Sequence, residues 1–273
     1  MELLQILLVA FGGTIAALAA AAFLGKALIS QLLAREMEVL RSRLKIEGDT
    51  LVESFKDNLQ KDVRLDNRKF ELAQVMRRYQ GPLLHSVYDL QSRLYNVLAG
   101  RFFEVYLVGG SPNQKQYAEH NTAFLIAQFF GWTEIIRQEV QFIEFAETDK
   151  TRRLSAIRDE IYGLWQTDHF TDPLTIWAGE QRAIGELMME VRGDHLTCKG
   201  YASFLKTLSD TDEPLMERLR EAVLASATSH GDSRDRLLAV QHKLIDMLDV
   251  LDPDGLRFPS ERRKKARSED VRG

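Results

Sequence analysis

The chain has 273 residues, enough for one or two domains with a hydrophobic core, and its 45% hydrophobic and 28% charged residues are ordinary for a globular protein. Its net charge of −4 is too small to indicate a nucleic acid or an acidic substrate as partner. The single cysteine, Cys198, excludes a framework of internal disulfides.

The first element in the chain is a long apolar segment. From Leu3 to Gly25 there are 23 residues without a charge, and the only strongly polar side chains are Gln5 and Thr14. About 20 apolar residues cross the hydrocarbon core of a bilayer as a helix. The segment therefore predicts a transmembrane anchor over residues 1–27. A buried core helix and a cleaved signal peptide are the alternatives, although a signal peptide usually begins with basic residues and only Glu2 carries a charge here.

The charges that flank this segment predict its orientation. No Lys or Arg precedes it, whereas five basic residues follow it closely: Lys26, Arg35, Arg41, Arg43 and Lys45. Because basic residues stay on the cytoplasmic side, we expect a single-pass protein of the cell membrane. Its N-terminus would lie outside and the bulk of the chain in the cytoplasm.

The apolar segment also carries small residues spaced four apart, namely Gly12, Gly13, Ala16, Ala17 and Ala20. Such spacing lets two helix backbones approach closely in lipid and favours self-association. The alternative is that an Ala-rich segment contains these pairs by chance.

A helical stalk is predicted over residues 28–78, where the sequence has one glycine and no proline. Apolar residues follow one another at intervals of 7, 4, 7 and 4, as in a coiled-coil heptad, at Leu33, Leu40, Leu44, Leu51 and Phe55. This pattern predicts either a short coiled coil or a helix that packs on its own domain.

A cytoplasmic helical domain is predicted over residues 79–256. Gly81-Pro82 indicates the end of the stalk and the start of a second helix that reaches about Val108. Further helices are predicted at about 116–146, 152–165, 180–192, 201–209, 213–228 and 234–251. No stretch alternates apolar and polar residues over a length that would indicate a sheet. The predicted fold class is therefore all-α: one transmembrane helix that continues into an amphipathic stalk, then a multi-helix bundle.

The last segment, residues 257–273, is predicted to be a basic disordered tail. It has no apolar period and holds seven basic residues against three acidic ones. Near a bilayer such a tail attracts anionic headgroups. The alternative is a solvated tail without a partner.

The common catalytic and metal-binding motifs are missing from the sequence. It has no Walker-type phosphate loop, no H-E-x-x-H, no G-x-S-x-G and no close set of Cys and His for zinc. We therefore expect neither metal nor cofactor, and a non-enzymatic role is favoured.

Four polar residues beside an apolar helix face form a candidate binding site: Glu180, Gln181, Arg182 and Glu186. Arg182 and Glu186 are four apart and can pair on a helix. The group predicts a buried polar network or a ligand site. The alternative is an ordinary first helical turn with one salt bridge. A second polar group, which includes His85 and Arg93, is interpreted as paired side chains near the core.

Arg236 and His242 are separated by five residues in a helical context. This spacing is similar to the R-x4-6-H signature of HEPN ribonucleases, in which two such motifs meet across a dimer and cut RNA without a metal. The resemblance covers these two residues, and Leu237 stands where that family usually has a polar residue. It implies, as an alternative function, a membrane-bound ribonuclease with Arg236 and His242 as catalytic residues.

The apolar segment, the stalk and the missing motifs together favour a membrane-tethered interaction or scaffold protein. We expect its partners to be the lipid bilayer, further copies of the chain and a protein that the sequence does not identify, without a strong nucleic-acid signal. A channel-forming oligomer is a third possibility, weakened because the apolar segment has no ionisable residue to line a pore.

Overall fold

The computed structural model describes residues 2–141, 149–209, 213–228 and 234–271. Within these ranges the chain is mostly helical, which confirms the predicted all-α class. Its helices are α1 (Glu2–Leu98), α2 (Pro112–Gln141), α3 (Asp149–Gln166), α4 (Ala178–Leu187), α5 (Tyr201–Leu208), α6 (Pro214–Thr228), α7 (Asp235–Leu251) and α8 (Ser268–Val271). Two strands, β1 (Met189–Arg192) and β2 (His195–Cys198), form a hairpin.

The chain divides into two units, Met1–Leu65 and Asp66–Gly273. The described part of the first unit is helix, from Glu2 onward. The second unit contains the hydrophobic core, to which the end of α1 and helices α2 to α7 all contribute buried side chains. We refer to the second unit as the bundle.

The predicted helix break at Gly81-Pro82 is wrong, because α1 continues through Pro82. A proline inside a helix costs about 3 kcal/mol, since the carbonyl four residues earlier loses its donor. The residues that follow offset this cost, because Leu83, Leu84 and Val87 are at most 6% exposed and complete burial of such a side chain contributes about 1.5–3 kcal/mol. Tertiary packing therefore carries the helix across the proline.

The second helix was also predicted to reach Val108, and this too is wrong. Helix α1 ends at Leu98, and the segment Phe103–Val108 forms one π-helical turn before α2. Between them Arg101 has a φ of 52°, a left-handed conformation that is uncommon for residues other than glycine. The residues Gly109, Gly110 and Ser111 connect the π-helical turn to α2.

Helix α2 lies at the centre of the bundle and packs closely against α4 and β2. Two glycines allow this approach. A Cβ atom at Gly131 would lie 2.7 Å from the Sγ of Cys198, and one at Gly185 would lie 2.8 Å from the carbonyl oxygen of Phe130. Gly185, which stands next to Glu186 of the predicted polar group, therefore serves helix packing.

The predicted helix over 180–192 ends early, at Leu187, and the absence of a sheet is also wrong. Strands β1 and β2 pair antiparallel, with Arg192 opposite His195. The two residues between them include Gly193, whose φ of 65° suits a tight hairpin turn. Each strand has four residues, too few for an alternation of apolar and polar residues to be recognised in the sequence.

The predicted disorder of the C-terminal tail is wrong for its described residues, up to 271. The side chain of Phe258 is buried and its ring stacks on that of Tyr88, with 3.8 Å between ring centroids. Further along, Ala266 is buried, and its N–H donates to the Oε1 of Gln241 over 3.2 Å. The same Gln241 donates its Nε2 to the carbonyl of Lys264 over 2.8 Å.

The basic residues of the tail find acidic partners on the end of α7. Arg263, whose side chain is 6% exposed, pairs with Asp252 at 2.6 Å and with Asp249 at 3.0 Å. Lys265 pairs with Asp246 at 2.7 Å. These three aspartates are spaced three apart on or next to α7, so they form one acidic face, and this complementarity is the physical reason for the order of the tail.

Candidate functional site

The first unit presents an uncovered apolar surface on α1. Counted from Ile29, positions at intervals of 4, 4 and 3 residues are apolar or glycine: Ile29, Leu33, Met37, Leu40, Leu44, Gly48, Leu51, Phe55 and Leu59. We call this set the stalk stripe. Its eight large apolar side chains are each 50% to 69% exposed. Apolar surface of this extent is typical of an interaction site rather than of a free surface.

The predicted association residues of the apolar segment, from Gly12 to Ala20, have side chains outside the described part of the chain. Where side chains are described, no helix is both long enough and apolar enough to cross a membrane. The side chains of residues 2–17, 19 and 20 do not belong to that part.

The predicted polar group at the start of α4 begins with a helix cap. The backbone N–H of Trp177 donates to the Oε2 of Glu180 over 3.1 Å, and Glu180 also pairs with Arg218 at 3.0 Å. The cleft beside these residues has a volume of about 160 Å³, below the range of about 300–1,000 Å³ of most small-molecule sites. Glu180 therefore serves the helix start and the contact with α6.

The other members of this group divide between core and surface. Gln181 is fully buried, and its Nε2 donates to the carbonyls of Tyr162 at 3.0 Å and Ile176 at 2.7 Å. Arg182 and Glu186 are exposed. The structure thus places one of the four residues in a buried polar network and does not bring them together around a ligand cavity.

Arg236, one of the two candidate catalytic residues, is fully buried. Its Nη1 donates to the carbonyls of Leu164 at 2.6 Å and Trp165 at 2.9 Å. Its Nη2 donates to the carbonyl of Thr167 and the Oγ1 of Thr175, both at 2.8 Å. These bonds fasten the irregular segment between α3 and α4 to α7, which is a structural role.

His242, the other candidate, binds a different part of the chain. Its Nε2 donates to the carbonyl of Ala266 over 2.8 Å when that nitrogen carries the proton. The side chain is therefore one of the groups that hold the C-terminal segment on α7. Arg236 and His242 each have a structural partner, and these partners lie in different segments.

A buried carboxyl group lies close to Arg236. Asp172 is 3% exposed; its Oδ1 accepts the N–H of Leu174 at 2.6 Å and its Oδ2 the hydroxyl of Ser226 at 3.4 Å. Burial raises the pKa of Asp172 to about 6, against the lowering effect of the Leu174 N–H and of the Arg236 charge. The carboxyl group therefore titrates in the mildly acidic range.

A cleft with a distinctive chemistry lies where the end of α1, the π-helical turn and the start of α2 meet. Its volume is about 690 Å³, within the range of small-molecule sites. Aromatic rings of Phe102, Tyr106 and Tyr117 line it together with the side chain of Arg93. We call it the Arg93 cleft.

The guanidinium group of Arg93 is held in place by neutral groups. Its carbon atom lies 3.9 Å from the ring centroid of Phe102. Its Nη2 donates to the Oδ1 of Asn121 over 2.6 Å, whereas its buried Nη1 has no hydrogen-bond acceptor within the described residues. Burial lowers the pKa of Arg93, and the phenols of Tyr117 and Tyr201 partly oppose this effect.

Sequence reasoning had interpreted Arg93 as one of several paired polar residues on a helix and missed the cleft. The residues that line it come from three segments, and their meeting depends on the π-helical turn and on the left-handed Arg101, neither of which has a sequence signature. The one feature of the sequence that could have indicated the cleft is the group of aromatic residues from Phe102 to Tyr106, which is followed by Gly109-Gly110.

No protein-family model matches the chain, and neither a curated protein nor a solved structure matches it.

Proposed function

We propose that this chain is a single-pass membrane-tethered scaffold that assembles with further copies of itself through α1 and presents its bundle to a protein partner. The observation that carries the proposal is the stalk stripe, whose large apolar side chains are at least 50% exposed from Ile29 to Leu59. The apolar segment from Leu3 to Gly25 supplies the anchor, and its small residues add a second association surface in lipid.

The size of the stripe favours association over solvation. Complete burial of a large apolar side chain contributes about 1.5–3 kcal/mol. The stripe has eight such side chains on each chain, each 50% to 69% exposed. Two copies that bury most of this surface therefore gain on the order of 15–30 kcal/mol, against the roughly 4–15 kcal/mol that association costs in lost freedom.

The spacing of the stripe indicates how the copies pack. The intervals 7, 4, 7 and 4 from Leu33 to Phe55 add up to two repeats of eleven residues rather than to heptads. An eleven-residue repeat corresponds to about 3.67 residues per turn, close to the 3.6 of a straight helix, and gives a slight right-handed supercoil. We therefore expect nearly straight helices in contact.

A shared membrane imposes a parallel arrangement. Each copy is anchored through its own apolar segment from Leu3 to Gly25, so the stalks of neighbouring copies run in the same direction. Charges beside the stripe do not select a direction, because Glu36, Arg43 and Glu47 share one flank and Arg41 lies on the other.

The five basic residues that follow the apolar segment favour a cytoplasmic bundle. Extraction of membranes with alkaline carbonate and protection of the bundle from external protease in intact cells test this arrangement. Release of the full chain by carbonate would contradict the anchor.

The test of self-association is the mass of the full chain in detergent, measured by light scattering with the detergent subtracted. The double variant Leu40→Lys, Leu44→Lys introduces charge into the stripe. It is expected to dissociate the oligomer or to raise its dissociation constant at least tenfold. The matched control is Val39→Lys, Ile46→Lys. These two side chains are 49% and 63% exposed, against 52% and 60% for Leu40 and Leu44, but they lie off the stripe.

The control is expected to keep the mass of the wild type, because it adds the same charge to the same helix at equal exposure. A monomeric wild type would refute the proposal. An equal loss of mass in both variants would show that general charge repulsion acts, not the stripe.

A further inference from the structure

The Arg93 cleft contains a positive charge for which the described residues supply no counter-charge. Some arginines of the bundle pair with carboxylates, such as Arg137 with Glu134 and Arg234 with Glu104. The fully buried Arg236 has four oxygen acceptors for its Nη1 and Nη2. The guanidinium of Arg93 instead contacts an aromatic ring and a carboxamide. A charge withdrawn from water costs several kcal/mol unless an opposite charge accompanies it, so this site gains from an anion.

The walls of the cleft indicate the rest of a ligand. The rings of Phe102, Tyr106 and Tyr117 offer aromatic surface, and Tyr106 and Tyr117 are 41% and 52% exposed. The carboxamides of Asn96 and Asn113 add hydrogen-bond donors and acceptors. None of the residues that line the cleft is acidic, which disfavours metal ions and other cations.

The backbone around the cleft has two rare conformations. The π-helical turn Phe103–Val108 contributes Tyr106, and Arg101, with a φ of 52°, stands in the link just before it. Turns of both kinds cost conformational energy and concentrate at functional sites. Phe102 here lies over the guanidinium of Arg93, and the ring of Tyr106 lines the same cleft.

We propose that the Arg93 cleft binds a small organic anion that carries an aromatic ring, with its anionic group on Arg93 and its ring against Phe102, Tyr106 and Tyr117. The anionic group supplies the missing counter-charge. The ring displaces water from exposed aromatic surface. Nucleotides and aromatic carboxylates share this chemistry, so probes of both kinds enter the test.

The experiment measures binding of four probes to the full chain in detergent by calorimetry: AMP, benzoate, adenosine and inorganic phosphate. A probe with both a ring and an anion is expected to bind at least tenfold more tightly than the probes with one of the two features. If AMP binds and benzoate does not, the ligand is a nucleotide. The reverse result assigns an aromatic carboxylate. If neither binds more tightly than adenosine and phosphate, the proposal is wrong.

Two variants separate binding from folding. Arg93→Gln removes the charge and keeps a long polar side chain, so it is expected to weaken binding at least tenfold while the melting temperature without ligand stays unchanged or rises. Tyr117→Ala removes one ring, with weaker binding expected as well. The control is Arg192→Gln on the hairpin, where the side chain is 67% exposed and pairs with Glu190. Equal affinity of wild type and Arg93→Gln would overturn the assignment.

Discussion

Substitution of Asp172 by asparagine is expected to stabilise the bundle at neutral pH and to have little effect near pH 4. Asparagine has the same shape, and its Oδ1 can still accept the N–H of Leu174, while its Nδ2 can donate to the hydroxyl of Ser226. The substitution therefore removes the charge and leaves the local hydrogen bonds in place.

The magnitude follows from the pKa of Asp172, which burial raises from 3.8 to about 6 in the folded chain. Because the folded state holds the proton more tightly than the unfolded state, this group's contribution to stability is complete below about pH 4 and is lost as the pH rises through 6. About two pKa units at roughly 1.4 kcal/mol each give a loss of up to about 3 kcal/mol at pH 7. Asp172→Asn should recover this amount.

The assay is unfolding by guanidinium at a series of pH values, followed through the fluorescence of the buried Trp165. The quantity of interest is the difference in unfolding free energy between variant and wild type. Asp252→Asn is the control of opposite sign. Burial alone raises the pKa of Asp252, but three backbone N–H groups and Arg263 outweigh it and hold the pKa below its usual value.

The control variant is therefore expected to lose stability at neutral pH and to lose less as the pH falls. Two results would contradict this reasoning: a loss of stability in Asp172→Asn at pH 7, or the same effect of the substitution at pH 4 and pH 7. Either would show that the ionised Asp172 does not lower the unfolding free energy at pH 7.

Other substitutions test the packing and the buried arginine. Gly131→Ala is expected to cost about 1–3 kcal/mol by overpacking, since its Cβ would lie 2.7 Å from the Sγ of Cys198; Gly163→Ala, which meets open space on a helix, is the control and should be neutral or stabilising. Arg236→Met is expected to cost about 3 kcal/mol or more, because several buried carbonyls lose their donor. His242→Ala should cost about 1 kcal/mol, the worth of one hydrogen bond. Chemical denaturation measures all four, and RNA cleavage that depends on Arg236 or His242 would contradict their structural role.

The helices of the bundle were predictable because their apolar positions recur with helical period over ten or more residues. The apolar face of α2, for example, includes Phe129 and Ile135, both fully buried. The stalk stripe was also visible, but intervals of 7 and 4 fit a heptad and an eleven-residue repeat over a short stretch. The full set from Ile29 to Leu59, on a helix known to be continuous, favours the longer repeat.

Features that depend on distant contacts were not predictable. Pro82 normally ends a helix, and only the burial of the residues after it shows why α1 continues. The tail was predicted to be disordered because its basic residues were considered without the acidic residues that pair with them. The acidic partners lie up to 19 residues earlier in the chain, as with Lys265 and Asp246, and nothing in the local sequence of the tail identifies them.

The tail's docking on α7 predicts that its basic residues keep their partners in the protein when an anionic lipid surface is present. Transfer of Arg263 to an anionic bilayer surface would gain about 1 kcal/mol. It would leave Asp252, which is 7% exposed, as a buried charge without its cation, a loss of about 3–5 kcal/mol. The docked arrangement therefore has the lower free energy. Hydrogen exchange of the backbone amides in residues 258–266 should stay equally slow in neutral and in anionic lipid nanodiscs. Arg263→Ala should accelerate this exchange, whereas Lys264→Ala, at an exposed position, should not. Faster exchange of the wild type in anionic lipid would mean that the headgroups outcompete Asp252.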